Sequence, residues 1–267
     1  MTAPELLCPA GSAPSMVAAV QCGADAVYLG AGDFNARRSA DNFGGELDAA
    51  VLYCHARGVR VYVTLNTMVR QDEMARLETT IGEICRAGAD GVIVQDLGVA
   101  RAIRQMAPSL PLHASTQMAV HNRQGVEFLA EQGFARVVLA REMRFDEIAR
   151  CAGLGAELEV FVHGALCVSC SGQCLMSSMI GGRSGNRGLC AQPCRMKYRT
   201  GGREGYFLST RDLCGLPELS AYAQAGVDSL KDNLETFARF TPMGDGIQAH
   251  NGIISQMTPR AAVILVS

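Results

Sequence analysis

The 267-residue sequence has no run of 18 apolar residues, so it offers no segment long enough for a transmembrane helix. Its start lacks the basic and apolar regions of a secretory signal peptide. Charged residues make up only 19%, yet the hydrophobic fraction of 48% is that of a folded chain and excludes intrinsic disorder. We therefore expect a cytoplasmic protein of one or two domains.

Several motifs that define enzyme classes are also missing. Asn35 stands where the dinucleotide fingerprint beginning at Gly30 needs its third glycine, and no phosphate-binding loop occurs. The His-Glu-x-x-His motif of metalloproteases and the Gly-x-Ser-x-Gly elbow of serine hydrolases are absent. Ser177 and Lys197 occupy the positions where a radical-SAM triplet, Cys-x3-Cys-x2-Cys, would need its third cysteine.

A repeated pattern predicts the fold. A glycine that ends a helix is followed by a short apolar run, and amphipathic stretches lie between these runs. This pattern predicts an α/β protein, a (β/α)8 TIM-barrel-like fold. We expect a barrel domain over 1–231 with a cysteine-rich insertion at 164–214, followed by an atypical tail at 232–267. The predicted strands are Glu5–Cys8, Ala26–Leu29, Arg60–Leu65, Gly91–Val94, Leu112–Ala114, Arg136–Leu139, Glu157–Val162 and Asp228–Lys231.

Polar side chains are predicted at the carboxyl ends of several strands, where barrel enzymes carry their catalytic groups. Asn66 follows the third strand, His113 and Gln117 belong to the fifth strand and its loop, and Arg141 and His163 come at the ends of the sixth and seventh. These residue types on one rim suit a small, oxygen-rich substrate, so we take all five as candidate catalytic residues. Helix capping is the alternative explanation for each of them singly.

Eleven cysteines are unusual for a reducing compartment, where disulfides are rare. Five are scattered at positions that mostly look packed (Cys8, Cys22, Cys54, Cys85 and Cys151), whereas six fall within 48 residues (Cys167, Cys170, Cys174, Cys190, Cys194 and Cys214). Such clustering indicates a metal site. Paired short spacings suit a zinc site of Cys167, Cys170, Cys190 and Cys194, and a 4Fe–4S cluster tolerates the irregular spacing of four of the six.

The run from Glu159 to Ser177, Glu-x-Phe-x2-Gly-Ala-Leu-Cys-x4-Gly-x-Cys-x-Met-Ser, closely resembles the signature of peptidase family U32, the collagenase-like proteins. Further matches lie at Pro4–Ser12, Val61–Thr67 and Gly185–Arg195. The resemblance implies an iron–sulfur protein, since some members hydroxylate ubiquinone precursors, transfer-RNA uridine or ribosomal-RNA cytidine without oxygen, with prephenate implicated. It implies cluster ligands at Cys167, Cys174, Cys190 and Cys214, with Cys194 as the alternative fourth ligand.

The resemblance leaves two other functions open. The first is a collagenase-like peptidase, whose nucleophile would be Cys167 with His163 as its base. The second is a non-catalytic subunit that works with a homologous partner. Zinc, or no metal at all, is the corresponding alternative to the cluster.

The charge distribution bears on a nucleic-acid partner. Between Gly181 and Arg211 the sequence has seven basic residues and one acidic residue, while the whole chain has a net charge of −2. The segment 183–211 could bind the phosphates of RNA, although few aromatic residues accompany it. A solvated loop, or a site for a dicarboxylate, is the alternative.

The resemblance ends after Lys231, where the family continues with Ile-Glu-Gly-Arg and a helix. Here the sequence turns to Asp232-Asn-Leu and then to a stretch with no family match, ending in the apolar run Ala261–Val266. A replaced or truncated tail is our interpretation. The apolar run predicts a strand.

Overall fold

The computed structural model describes residues 3–36 and 43–233. Its eight parallel strands are β1 (Glu5–Pro9), β2 (Ala26–Gly30), β3 (Arg60–Leu65), β4 (Gly91–Val94), β5 (Leu112–Ala114), β6 (Arg136–Val138), β7 (Glu157–Gly164) and β11 (Ser229–Asp232). Neighbours in the chain pair from β1 to β7, and β11 joins β7 to β1, so the sheet closes. The barrel prediction is confirmed, and each of the eight predicted barrel strands is present within two residues of its expected bounds.

Helices cover the outside of the barrel because each has one apolar face. In α3, for example, Leu77, Ile81 and Ile84 are fully buried at the spacing of a helical stripe. None of the described helices has the length and apolar character needed to cross a membrane. The outer helices are α1 (Ala13–Gln21), α2 (Leu47–His55), α3 (Met74–Ala87), α4 (Leu97–Met106), α5 (Arg123–Glu131), α6 (Phe145–Ala149) and α8 (Leu219–Gln224).

The scattered cysteines belong mostly to this packing. Cys8, Cys22, Cys54 and Cys151 are buried, as expected for small hydrophobic residues in a core. The expectation is wrong for Cys85, which is exposed on α3. Its place on the outer surface follows from the helical period, which turns it away from the stripe formed by Ile81 and Ile84.

The cysteine-rich insertion (residues 164–214) follows β7 and has little regular structure. It contains α7 (Met176–Gly181) and a hairpin of β8 (Tyr198–Thr200) and β9 (Arg203–Gly205). It ends in β10 (Leu213–Cys214), which pairs antiparallel with the end of β7. The tail beyond residue 233, with its predicted strand, lies outside the described residues.

Candidate functional site

A cavity of about 170 Å³ opens at the carboxyl end of the barrel. Three of the five candidate catalytic residues line it, namely Asn66, Gln117 and Arg141. They come from loops after β3, β5 and β6, which parallel strands bring to the same rim. The structure therefore brings these three residues together as the sequence predicted.

Arg141 lies against β7 and the start of the insertion. Its Nη1 donates to the carbonyl oxygen of Ala165 at 2.8 Å, and its guanidinium lies 5.2 Å from the centroid of the Phe161 ring. Burial lowers the pKa of Arg141, against the opposing effect of the neighbouring Cys167 and Glu142. Arginine keeps its charge even so. Arg141 is thus a buried cation beside the cysteine-bearing segment.

Two polar atoms of the cavity wall have no hydrogen-bond partner within the described part of the chain. They are Nε of Arg141, a donor, and Oε1 of Gln117, an acceptor. Both are buried, and an unsatisfied buried polar atom carries a desolvation penalty of about 1–3 kcal/mol. A ligand with an anionic oxygen and a hydroxyl group would satisfy both atoms.

The two candidate histidines do not line the cavity. His113 lies deeper in the barrel, edge-on to Tyr62 at 4.6 Å between ring centroids. Burial and the charges of Arg136 and Lys231 hold the pKa of His113 well below its usual range, so the ring is neutral. His163 Nδ1 lies 3.1 Å from Oδ1 of Asp232, and the residue pairs with Cys214 across β7 and β10.

Sequence reasoning missed three further side chains that line the cavity. These are Tyr28, Phe161 and Lys231, which project inward from β2, β7 and β11. Lys231 Nζ lies 2.7 Å from Oε1 of the buried Glu159 and 4.2 Å from the centroid of the Tyr28 ring. The two-residue alternation of side chains along each strand was the signal that could have found them.

Below the cavity, a network of charged side chains fills the barrel. Arg136 Nη1 donates to Glu5 at 2.5 Å and to Glu159 at 3.2 Å, while its Nη2 bonds Glu157 at 2.6 Å. Tyr62 also donates to Glu5, at 2.9 Å. Burial lowers the pKa of Arg136, but its carboxylate partners outweigh burial and raise it. Through Glu159, which pairs with both Arg136 and Lys231, the network holds Lys231 in place at the cavity.

The insertion docks onto the rim of the barrel through close backbone contacts. Gly172, with φ of 75°, lies so near Gln117 that an added Cβ would come within 2.7 Å of the Gln117 Cβ. Asn186 donates to the Gly172 carbonyl at 2.9 Å and accepts from the Met68 amide at 3.1 Å through its own carbonyl. The insertion therefore packs against the rim beside Gln117, one of the residues that line the cavity.

An ion pair also holds the insertion to the barrel. Arg187 bonds both carboxylate oxygens of Glu73, at 3.0 and 2.5 Å. Glu73 is nearly buried, and its hydrogen bonds from Arg187 and from the Arg70 amide lower its pKa from 4.5 to about 2. Bidentate pairs of this kind are strong because both bonds are charge-assisted.

We expect this pair to make stability depend on pH in the acid range. Because the pKa of Glu73 falls on folding, its contribution is complete above pH 4.5 and is lost as the pH drops toward about 2. The difference in unfolding free energy between wild type and Glu73→Gln should shrink over that range. Asp72→Asn, in an exposed pair with Arg70, is the control and should have little effect. A difference that does not vary with pH would contradict the assignment.

Four cysteines of the insertion form a cysteine group, in which Cys194 has Cys167, Cys174 and Cys190 as neighbours. Burial raises the pKa of the Cys194 thiol, and the neighbouring thiols of Cys167, Cys190 and Cys174 raise it further. Backbone amides lie 3.4 Å from two of the sulfurs, Met176 N from Cys174 Sγ and Gln192 N from Cys190 Sγ. Cys214 lies on β10. The remaining cysteine, Cys170, lies within 4.8 Å of ligand atoms of His121 and Glu142.

The structure divides the basic segment 183–211 into inward and outward members. Arg187 bonds Glu73, and Arg195 lies 2.7 Å from Asp212, so these two charges are neutralised within the protein. Arg199 and Arg203 are exposed on the hairpin, and Tyr206 and Phe207 beside it are 60% and 50% exposed. Fewer basic side chains of the segment therefore face solvent unpaired than the sequence suggested.

The model of peptidase family U32 matches residues 11–233. This chain belongs to peptidase family U32. The match ends within two residues of the end of β11. A solved structure of the U32 peptidase Mk0906 covers 87% of this chain and 93% of its own, with a TM-score of 0.61 at 13% identity, which supports the same fold.

Three curated relatives of this U32 chain carry different functional names. The 23S rRNA 5-hydroxycytidine C2501 synthase of Escherichia coli K12 is 40% identical over 85% of this chain. The tRNA hydroxylation protein P1 of Bacillus subtilis 168 is 35% identical, and a collagenase of Porphyromonas gingivalis W83 is 32% identical, each over 85% of this chain. The matches cover 36%, 58% and 60% of these three relatives, so this chain corresponds to only part of each.

Proposed function

We propose that this U32 protein is an iron–sulfur-dependent, oxygen-independent hydroxylase-like enzyme that acts on RNA. The main support is its similarity to two relatives named for RNA hydroxylation, at 40% and 35% identity. A polar cavity beside the cysteine group is consistent with such an enzyme. A quinone precursor is the other substrate class that the resemblance implies.

The cysteine group fits a cluster by its donors and by its spacing. Amide N–H groups directed at Cys174 and Cys190 stabilise thiolates and tune the potential of a cluster. Four thiolates around one zinc ion would lie about 3.8 Å apart, since Zn–S bonds are about 2.3 Å. In the described part of the chain, no three of the cysteine sulfurs lie within 4.8 Å of one another. The sulfurs are therefore not arranged as a four-cysteine zinc site, and we propose a 4Fe–4S cluster in preference to zinc.

We propose Cys167, Cys174 and Cys190 as three of the cluster ligands. The fourth is Cys214 according to the family resemblance, whereas the position of Cys194 beside the other three thiols favours Cys194. When bound, the cluster would supply electron transfer.

The residues of the chain itself would bind and orient a substrate. Arg141 Nε would donate to an anionic oxygen, and Gln117 Oε1 would accept from a hydroxyl group. Lys231, which is paired with Glu159, and Asn66 supply further polar groups at the cavity. These groups suit a small oxygenated acid such as prephenate, which the resemblance implies as a co-substrate.

The test is hydroxylation of RNA by the protein purified without oxygen and reconstituted with iron and sulfide. Mass spectrometry of the digested RNA should detect a nucleoside that has gained one oxygen atom. Arg141→Met should abolish this product while keeping the cluster, because it removes the cation but leaves the cysteines. A reconstituted protein that modifies neither RNA nor a quinone precursor would contradict the proposal.

RNA binding should depend on the hairpin. The double variant Arg199→Ala/Arg203→Ala removes two exposed charges, so the slope of log affinity against log salt should fall by about 1.4 for single-stranded RNA. Arg101→Ala, an exposed arginine of α4 on the outer helical layer, is the matched control. Equal salt slopes for the double variant and the wild type would place RNA elsewhere.

A peptidase is the second candidate, favoured by the collagenase relative. If peptide cleavage is real, it should disappear in Cys167→Ala or on chelation, because no other nucleophile motif is visible in the sequence. Cleavage that survives both treatments would point to a contaminant.

A further inference from the structure

Three metal-ligating side chains converge on the rim of the barrel, outside the cavity and apart from the proposed cluster ligands. The ring nitrogen of His121, a carboxylate oxygen of Glu142 and the sulfur of Cys170 all lie within 4.8 Å of one another. His121 precedes α5, Glu142 follows β6, and Cys170 belongs to the insertion. Nothing in the local sequence connects these three segments, so the fold alone brings the ligands together.

The histidine ring is held in the orientation that a metal ligand needs. His121 Nδ1 lies 2.6 Å from the carbonyl oxygen of Ala119. A carbonyl oxygen only accepts hydrogen bonds, so Nδ1 carries the proton and Nε2 of the neutral ring has a free lone pair. Ala119 has φ of 54°, an uncommon conformation for alanine, in the turn that presents this carbonyl. A second hydrogen bond of this kind commonly orients histidine ligands of metals.

The carboxylate is also fixed in place. The amide and hydroxyl of Ser171 donate to the two oxygens of Glu142, each at 2.9 Å. Each oxygen keeps a second lone pair for another partner. Because Ser171 directly follows Cys170, the same contacts fix the thiol beside the carboxylate.

The distances fit a metal ion better than a hydrogen bond. His121 Nε2 lies 3.5 Å from Glu142 Oε1, beyond the usual hydrogen-bond range of about 2.7–3.2 Å. Nitrogen and oxygen ligands around a tetrahedral zinc ion lie about 3.3 Å apart, given bonds of about 2.0–2.1 Å. Side-chain exposures of 39% for His121 and 35% for Glu142 leave the site open to an ion from solvent.

The same geometry argues against a nucleophilic triad. In a Cys–His–Glu triad the ring stands between the thiol and the carboxylate, with one nitrogen toward each. Here Nδ1 is engaged by Ala119, and Nε2 is the nitrogen that lies toward the carboxylate of Glu142. With Cys170 Sγ in the same group of atoms, this arrangement matches a coordination site.

We propose that His121, Glu142 and Cys170 bind a divalent metal ion of the zinc class, which clamps the insertion onto the barrel rim. One nitrogen, one oxygen and one thiolate form a mixed set that suits borderline ions such as Zn²⁺, with a fourth position open to water. This ion would be separate from any iron of the cysteine group. Its clamp would lie next to Arg141, whose amide is 3.4 Å from Ser171 Oγ.

The test counts zinc bound per full-length chain after equilibration with Zn²⁺ and removal of loosely bound metal. His121→Ala, Glu142→Gln and Cys170→Ser should each bind one zinc fewer than wild type, with affinity at that site about tenfold weaker or more. Matched controls are His55→Ala, an exposed histidine 2.8 Å from Asp90, and Cys85→Ser, an exposed cysteine; both should bind as much zinc as wild type. His121→Ala leaves every cysteine in place, so the result does not depend on whether the cysteine group holds iron, zinc or nothing.

Cobalt gives a second readout on the same variants. Co²⁺ bound to wild type should show a thiolate charge-transfer band whose intensity falls in Cys170→Ser and also in His121→Ala. Equal zinc in all variants would overturn the proposal. A loss in Cys170→Ser alone would also overturn it, because Cys170 would then belong to the cysteine group. If His121→Ala does not fold, Glu142→Gln gives the same comparison with a nearly isosteric side chain.

Discussion

Replacing Cys167, Cys174 or Cys190 by alanine is expected to remove the visible absorption of the anaerobically reconstituted protein near about 400 nm, where iron–sulfur charge transfer absorbs. Each variant loses a thiolate that binds iron, and metal binding is coupled to the folding of the segment that holds it. The insertion should therefore also become more sensitive to proteolysis. Wild type should contain about four irons per chain, as a cubane on four thiolates requires.

The fourth ligand is decided by a pair of variants. If Cys194→Ala removes the absorption and Cys214→Ala does not, the fourth ligand is Cys194, which lies beside the three other thiols. The reverse result would support the family resemblance, which implies Cys214. Cys170→Ala and Cys85→Ala are the controls and should keep the absorption. Full absorption in all six variants of the insertion would end the cluster hypothesis.

Arg136→Met is expected to cause the largest loss of stability in the barrel. It would leave Glu5 and Glu159, both buried, without their shared cation. Breaking a buried ion pair by removing one partner costs about 3–5 kcal/mol, a large part of a typical stability of about 5–15 kcal/mol. For a domain of this size we expect a thermal midpoint about 6–20 °C lower.

The control for this prediction is Arg60→Met. Arg60 also contacts Glu5, but its side chain is 50% exposed, so its pair should contribute only about 0–1 kcal/mol. Arg136→Lys keeps one positive charge and should lose less stability than Arg136→Met. Equal midpoints for Arg136→Met and wild type in thermal unfolding would show that the network does not support the barrel.

The barrel could be predicted because its signals are local. A glycine with positive φ, such as Gly88 after α3, ends a helix and restarts the chain as a strand, and the hydrophobic period separates the two kinds of element. Strand ends then follow directly, so the rim positions of Asn66, Gln117 and Arg141 were predictable before their contacts were known. His113 was misplaced because the end of a strand does not fix which side chain reaches the cavity.

The contacts of the insertion could not be predicted in the same way. Arg187 and Arg199 belong to one basic segment, but the first bonds the buried Glu73 and the second faces solvent, because docking onto the rim brings acidic partners only to the first. Cys170 lies between two proposed cluster ligands in the sequence, yet it approaches His121 and Glu142. An irregular segment has no fixed period, so the spacing of its residues does not determine which partner each side chain meets.

The amino-acid order thus accounts for the eight strands and for the rim that carries the polar side chains, since both depend on neighbours a few residues apart. The closed sheet follows from the number of these strands and their alternation with helices. Folding in three dimensions decided which charges are paired, which thiols are grouped and where Lys231 meets Glu159. Among these contacts, Glu5 and Arg136 are separated by 131 positions and Glu159 and Lys231 by 72, and the contact energies depend on burial and mutual distance. Only the packed barrel with its docked insertion sets those two quantities.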